Sequence, residues 1–389
     1  MEFSESGGTR TSIPRPSAPQ LWLGHGRTVG WRLRSALRPP TPPPGAAPWG
    51  TTLEDPVTGK VRLSGALYRA RPPLASRRGL LVTVHGLGGC VASPYMVRSA
   101  VEAVNRGLDV LALNLRGADR SGEDFYHAGM VADLEAAVRS AEELSEGAPV
   151  IVAGFSLGGH LALRWSASDA RELGHEDGAG EGAGGSSPKP GAAAVAGLCA
   201  PLELSTGSRA FEGPGTWLYR RYILSCLSSL YGAVTRRHSG AVGTRRVPVS
   251  LPEAREIGTL REWDRRVVAP RHGFDDEEDY YRRASAAPRL HQLRLPSLWM
   301  GSLDDPMVPA RVVAPVLERM RARSPQLSVG WIQRGAHLAF TTEETVTPWP
   351  AGEGEMSAVA GDSVFDQVLR WLEAKAGIEP LESDSTRVP

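Results

Sequence analysis

Apolar residues along the chain fall into two alternating patterns. Short unbroken runs at 80–84, 109–114, 149–153, 193–198, 298–301 and 327–332 have the length and Val, Ile, Leu and Ala content of strands buried on both faces. Between them, apolar residues recur every three or four positions over 95–106, 130–144, 310–323 and 363–375, which predicts amphipathic helices; another helix follows the turn at 156 and runs through 167. Strand, crossover and strand repeated in this way imply an α/β fold: a mostly parallel central sheet covered by helices on both faces.

Three stretches break the pattern. Residues 1–50 are rich in Pro, Gly, Ser and Arg, include Pro39-Pro40 and Pro42-Pro43-Pro44, and follow no clear period. They are expected to form an irregular arm, with Trp22 and Trp31 as its anchors to the body. Residues 171–191 carry too much Gly and charge to pack and are expected to be a flexible insertion. Residues 199–290, arginine-rich with a helix-like stretch at 217–234, precede the penultimate recognised strand and have the length of a helical cap or lid. The expected organisation is an arm (1–50), a first part of the core (51–198), a cap (199–290), a second part of the core (291–377) and a tail (378–389). Trp217, Tyr219, Tyr222, Leu224 and Leu227 in the cap would line an apolar acyl channel or form the cap's own core, the second being commoner for an amphipathic helix.

Charge narrows the partners. With 44 Lys and Arg against 43 Asp and Glu, a net charge of +1 gives no global field to draw nucleic acid. Three widely spaced cysteines, Cys90, Cys199 and Cys226, argue against a disulfide framework and a zinc site, and fit a reducing compartment. No apolar run of about 18 residues occurs, and the first residues lack the pattern of a secretory signal. The expectation is a soluble, cytoplasmic protein without an integral membrane anchor, open to transient lipid contact; its oligomeric state is not legible.

The chemistry concentrates at strand ends. Gly154-Phe155-Ser156-Leu157-Gly158 matches G-x-S-x-G, the sharp strand-to-helix turn that exposes a nucleophilic serine, and it has the required apolar strand before it and helical pattern after it. A serine hydroxyl needs a base to remove its proton as it attacks. Of nine histidines, His337 follows the last apolar strand, at the sheet edge where parallel-sheet enzymes gather their sites. His85 reads as part of a glycine loop, His160 as a packing residue, and His238, His272 and His291 as cap histidines. The base needs an acid to fix its tautomer, and Asp305 at the turn Asp305-Pro306 is the choice, with adjacent Asp304 a competitor. The order Ser156, Asp305, His337 is that of α/β-hydrolases. Backbone N–H groups of Leu157, after the serine, and of Leu87, inside His85-Gly86-Leu87-Gly88-Gly89, are the candidate oxyanion donors. The glycine loop lacks both G-x-G-x-x-G and a following Gly-Lys-Ser/Thr, so phosphate binding is the weaker reading.

Together with Asn114-Leu115-Arg116-Gly117, Tyr126-His127-Ala128-Gly129, Asp133-Leu134, Gly273-Phe274-Asp275, Tyr280-Tyr281-Arg282-Arg283-Ala284-Ser285 and Gly335-Ala336-His337-Leu338-Ala339-Phe340, these motifs give a chain that resembles the YheT-like branch of the α/β-hydrolases, the AB hydrolase 4 family, over roughly residues 50 to 375. The resemblance implies the α/β-hydrolase fold, hydrolysis of carboxylic esters such as acylglycerols, phospholipids or short acyl esters, and no cofactor or metal. It places the nucleophile on Ser156, the acid on the Asp304-Asp305 pair and the histidine on His337. Cys90 and Ala336 depart from commoner family residues, without removing a reacting group. The expected partner is a small-molecule acyl ester. Thioester or amide hydrolysis by the same residues, or a catalytically silent protein binding an acylated ligand, are the alternatives.

Overall fold

The structure is a computed structural model, and it describes residues 13, 18–55, 59–70, 78–169, 172–173, 191–338, 344–349 and 363–379. In chain order the elements are α1 (Ala18–Leu37), β1 (Ala47–Asp55), β2 (Gly59–Tyr68), β3 (Gly79–Val84), α2 (Pro94–Asn105), β4 (Leu108–Asn114), α3 (Val131–Leu144), β5 (Val150–Phe155), α4 (Leu157–Ser166) and β6 (Ala194–Leu198). The segment after β6 holds α5 (Leu204–Phe211), α6 (Trp217–Arg237), α7 (Leu251–Glu256), α8 (Leu260–Trp263), α9 (Ala269–His272) and α10 (Glu277–Ala284). The sheet then resumes with β7 (Ser297–Ser302), α11 (Ala310–Arg321), β8 (Leu327–Ile332), β9 (Thr347–Pro348) and α12 (Val364–Lys375).

One nine-stranded sheet runs in the order β1-β2-β4-β3-β5-β6-β7-β8-β9. β4 through β8 along this order pair in parallel, whereas β1, β2 and β9 are antiparallel additions at the two edges. Alternate residues of the central strands feed two cores, as a pleat demands. Leu80, Val82, Val150 and Val152 pack with Leu134 and Ala137 of α3 and with Leu161 and Trp165 of α4. Their neighbours Leu81, Val110, Ile151 and Ala153 pack with Met96 and Ala100 of α2 and with Val368 and Leu369 of α12. This two-sided burial explains why these strands read as continuous apolar runs.

One buried ion network fixes the loop after β4. Arg116, 1% exposed, donates from Nε to Asp133 at 3.0 Å, from Nη2 to Asp133 Oδ1 at 2.5 Å and from Nη1 to Asp55 Oδ2 at 2.7 Å, tying β1 and α3 to that loop.

The arm differs from its expected irregularity. Residues 18–37 form the helix α1, because the prolines of this region flank it and its interior from Gln20 to Leu37 holds none. Trp22 anchors nothing in the body, being 73% exposed, while Trp31 lies beside Arg98, whose guanidinium is 5.7 Å from its ring. β1 and β2 escaped the apolar-run reading since the residues of β1 are half-buried at best and those of β2 alternate, buried Val61 and Leu63 flanking exposed Arg62, which leaves no apolar run to detect. Apart from residues 172, 173 and 191, the Gly-rich segment 171–191 lies outside the described residues, as do Ala339 and Phe340.

Candidate active site

β5, β7 and β8 are parallel, so the loops leaving them converge at one edge of the sheet. Ser156 stands at the end of β5 with φ 53° and ψ −115°, a strained conformation that aims its side chain out of the strand-to-helix turn. Its amide donates to Leu198 O at 2.8 Å, which pins the turn to β6. Gly158 is obligatory here: a Cβ on it would fall 2.3 Å from Val84 O, so α4 approaches β3 only without a side chain at that position.

His337, in the loop after β8, lies with Nε2 3.0 Å from Ser156 Oγ and Nδ1 2.8 Å from Asp305 Oδ2. The Asp305 carboxylate is 1% exposed and is held from behind, its Oδ1 accepting from the amides of Met307 at 2.7 Å and Val308 at 2.9 Å. A carboxylate so fixed keeps the Nδ1–H tautomer of the imidazole and leaves Nε2 to accept the serine proton. Asp304 faces elsewhere: it accepts from Ser302 Oγ at 2.5 Å, the Gly335 amide at 2.9 Å and Arg27 Nη1 at 2.6 Å. The two carboxylates, equal in the sequence, are thus separated by their partners.

The glycine loop after β3 sits against the serine, with Gly86 packed near Ser156 Cβ. Tyr95 and Tyr126 hydroxyls accept from the amides of Gly86 at 2.9 Å and Gly88 at 2.7 Å. The intervening Leu87 N–H has no acceptor among the described residues. Leu157 N–H is the first amide of α4, where no intrahelical acceptor exists. His85 braces this loop: Nδ1 donates to Gly86 O at 2.8 Å, Nε2 accepts from Leu115 N at 3.2 Å, and burial lowers its pKa to about 4, keeping it neutral. His160 is buried with its ring nitrogens at the carbonyls of Pro201 and Ala284, at 2.7 and 2.8 Å, and so turns neither to the serine hydroxyl. His272 lies against His127, within the segment between β6 and β7.

A cavity of about 140 Å³ opens beside these groups, lined by Ser156, Leu87, Leu157 and His337. Its far walls come from the inserted helices, with Phe211, Ile223, Leu227 and Trp263 among them. Of the five residues considered for an acyl channel, Leu227 alone lines it. Tyr219 is turned toward His25, Leu224 is buried on another side of α6, and Trp217 and Tyr222 are about half exposed, since a single helix turns only one arc of its surface to a cavity.

Sequence reasoning missed α1. Its Thr28 Oγ1 accepts the His337 amide at 3.3 Å, Arg27 reaches Asp304, and Gly24 packs so tightly that a Cβ would lie 1.9 Å from Asp304 O. A single Gly-Arg-Thr-containing helix gives no sequence signal of that docking. Cys199 was also missed: it is buried with a positive φ of 50°, and its Sγ, the Asp305 carboxylate and His337 lie within 4.8 Å of one another. These three are the candidate metal donors among the described residues. Burial and the Asp305 charge push the Cys199 thiol well up, so it stays protonated, a form that binds metal poorly.

Residues 81–347 match the model of the alpha/beta hydrolase family, about two thirds of the chain. The chain belongs to the alpha/beta hydrolase family. Within that family it is 28% identical over 278 residues to YheT of Escherichia coli (strain K12), a protein provisionally named an esterase, covering 70% of this chain and 74% of YheT. It is 26% identical over 308 residues to human phospholipase ABHD3, covering 76% of this chain and 64% of that protein. A third relative is the medium-chain fatty acid ethyl ester synthase/esterase 2 of Saccharomyces cerevisiae, 24% identical over 68% of this chain and 58% of its own length. The chain thus spans less than two thirds of the second and third of these hydrolases. No described helix is long and apolar enough to cross a membrane.

Proposed function

We propose that this alpha/beta hydrolase is a serine esterase that cleaves carboxylic esters through an acyl-enzyme on Ser156. The observation that carries the reading is the unbroken hydrogen-bonded chain from Ser156 Oγ through His337 to the buried Asp305, opening on an apolar cavity. The names borne by its relatives, esterase and phospholipase among them, support the same class.

In the first half-reaction His337 Nε2 takes the Ser156 proton as Oγ bonds to the ester carbonyl carbon. The carbonyl oxygen becomes an oxyanion facing the Leu87 and Leu157 amides; one such donor contributes about 3 kcal/mol of transition-state stabilisation. His337 then gives its proton to the departing alkoxide, and the C–O bond breaks to leave an acyl-serine. Water repeats the sequence: His337 removes its proton, the tetrahedral centre collapses, and Ser156 regains its hydrogen as the acid leaves. Asp305 accepts the Nδ1–H of His337 and stabilises the imidazolium as it forms. The inserted helices between β6 and β7 serve as a lid, since Ile223 and Leu227 of α6 wall the acyl side of the cavity.

The test is labelling with a fluorophosphonate, followed by hydrolysis of p-nitrophenyl esters of increasing acyl length. Wild type takes the label and turns over esters, whereas Ser156→Ala takes none; His337→Ala falls to a similar residual kcat, because these groups act as a unit. An unlabelled wild-type protein would make this chain a binding protein instead.

A further inference from the structure

We propose that the outer faces of α1 and α6 form one docking surface for a bilayer containing anionic phospholipid. This rests on surface chemistry alone and requires no turnover at Ser156.

α1 is amphipathic in the wrong sense for a helix packed on a core. Trp22, Leu23, Val29, Leu33 and Leu37 are exposed, at 73%, 56%, 37%, 61% and 83%. At 100° per residue they share an arc of about 120°. The opposite side, carrying Gly24, Thr28 and Ser35, is the buried one. The inner face is held in place by Arg27 on Asp304 and Thr28 on the His337 amide, so rotation of the helix to bury its apolar arc would break those bonds. Contiguous exposed apolar surface of this kind marks an interaction site.

α6 extends the same surface. Arg32 of α1 stacks on Tyr222, its guanidinium 3.5 Å from the ring, and His25 lies 3.1 Å from the Tyr219 hydroxyl, joining the two helices. While Ile223 and Leu227 face the cavity, Trp217, Leu218 and Tyr222 on the reverse are 52%, 58% and 43% exposed. Arg221 is exposed between them. Arg220, Arg221, Arg236 and Arg255 line a groove beside Trp217 whose walls include no acidic residue.

Charge selects the occupant. On the outward side α1 presents Arg32 and Arg34 and α6 presents Arg221 and Arg236, with Arg27 and Arg237 engaged by Asp304 and Glu123, and neither helix contains an Asp or Glu, in a chain whose net charge is only +1. A second copy of this chain would set these arginines against one another. Tryptophan, tyrosine and leucine interleaved with arginine suit the headgroup region, where apolar side chains enter the acyl boundary and guanidinium groups meet phosphate. The surface lies on the back of the helix that walls the cavity, which sets a hydrolase of acyl esters against the phase where such esters collect.

Flotation of the intact chain with vesicles of phosphatidylcholine, alone or mixed with phosphatidylserine, tests this directly. The protein should bind the mixed vesicles, more weakly as salt rises, and bind phosphatidylcholine alone far less. Arg221→Ala with Arg255→Ala should weaken binding about 25-fold, each basic residue near an anionic surface giving about fivefold. Leu33→Glu with Leu218→Glu should abolish binding with an unchanged melting temperature, both sites being exposed. Wild type unbound by mixed vesicles, or the Leu33→Glu/Leu218→Glu protein binding like wild type, overturns the proposal. So does a dimer in light scattering that those substitutions dissolve while vesicles stay unbound, which assigns the face to a second copy. Because binding is read without turnover, a chain that refuses the fluorophosphonate can still support this inference.

Discussion

Asp304 and Asp305 are neighbours along the backbone, yet their carboxylates serve different structures: Asp305 Oδ2 lies 2.8 Å from His337 Nδ1, whereas Asp304 Oδ2 lies 2.6 Å from Arg27 of α1. One braces an imidazole and the other fastens a helix.

Exchange of Asp305 for Asn should therefore lower kcat on a p-nitrophenyl ester by about 10⁴, because an amide there offers a donor to Nδ1 and favours the wrong tautomer. Asp304→Asn should cost far less activity and instead lower the melting temperature by loosening α1. Steady-state kinetics beside thermal melts separate the two, and the reverse ranking of kcat would move the acid role to Asp304.

Arg116 should be a stability residue without a part in turnover. Arg116→Met leaves Asp133, 0% exposed, as a buried carboxylate without its guanidinium partner, and loss of one member of such a pair costs about 3–5 kcal/mol. Urea unfolding should show the loss, and Arg116→Met with Asp133→Leu should recover part of it. A loss under about 1 kcal/mol for the single variant contradicts the network's role.

Asp264 lines the cavity, accepts the Tyr281 hydroxyl at 2.7 Å, and is driven by burial from 3.8 up to about 7. Its raised folded-state pKa means that the native protein holds a proton the unfolded chain releases. The contribution to stability is complete below pH 3.8 and is lost as pH rises to about 7. Asp264→Asn, which stays neutral, should gain stability relative to wild type across that window, with a slope of at most about 1.4 kcal/mol per pH unit. Denaturation of both proteins at pH 5 and pH 8 checks the sign; a difference that shrinks at pH 8 refutes it.

Much of this molecule is legible without coordinates. The strands at 80–84 and 109–114 announce themselves because burial on both faces leaves no polar alternation, and the glycines around Ser156 because no side chain fits between the start of α4 and strands β3, β5 and β6. In β1 no residue is more than half-buried, and β2 buries Val61 and Leu63 on either side of exposed Arg62, so neither strand offers an unbroken apolar run to read.

The sequence by itself determined which chemical groups stand at which strand ends: a hydroxyl, two carboxylates and an imidazole, in an order that suits acyl transfer. Only the tertiary structure decided which carboxylate meets the imidazole, that Leu227 rather than Tyr222 faces the cavity, and that α1 turns its apolar side outward while its Gly24 and Thr28 lie against Asp304 and His337. The reason is physical. Periodicity and spacing are local properties that fix the type of each element, whereas the orientation of a helix and the partner of a side chain depend on contacts between residues far apart in the chain, from 32 positions for Asp305 and His337 to 309 for Thr28 and His337.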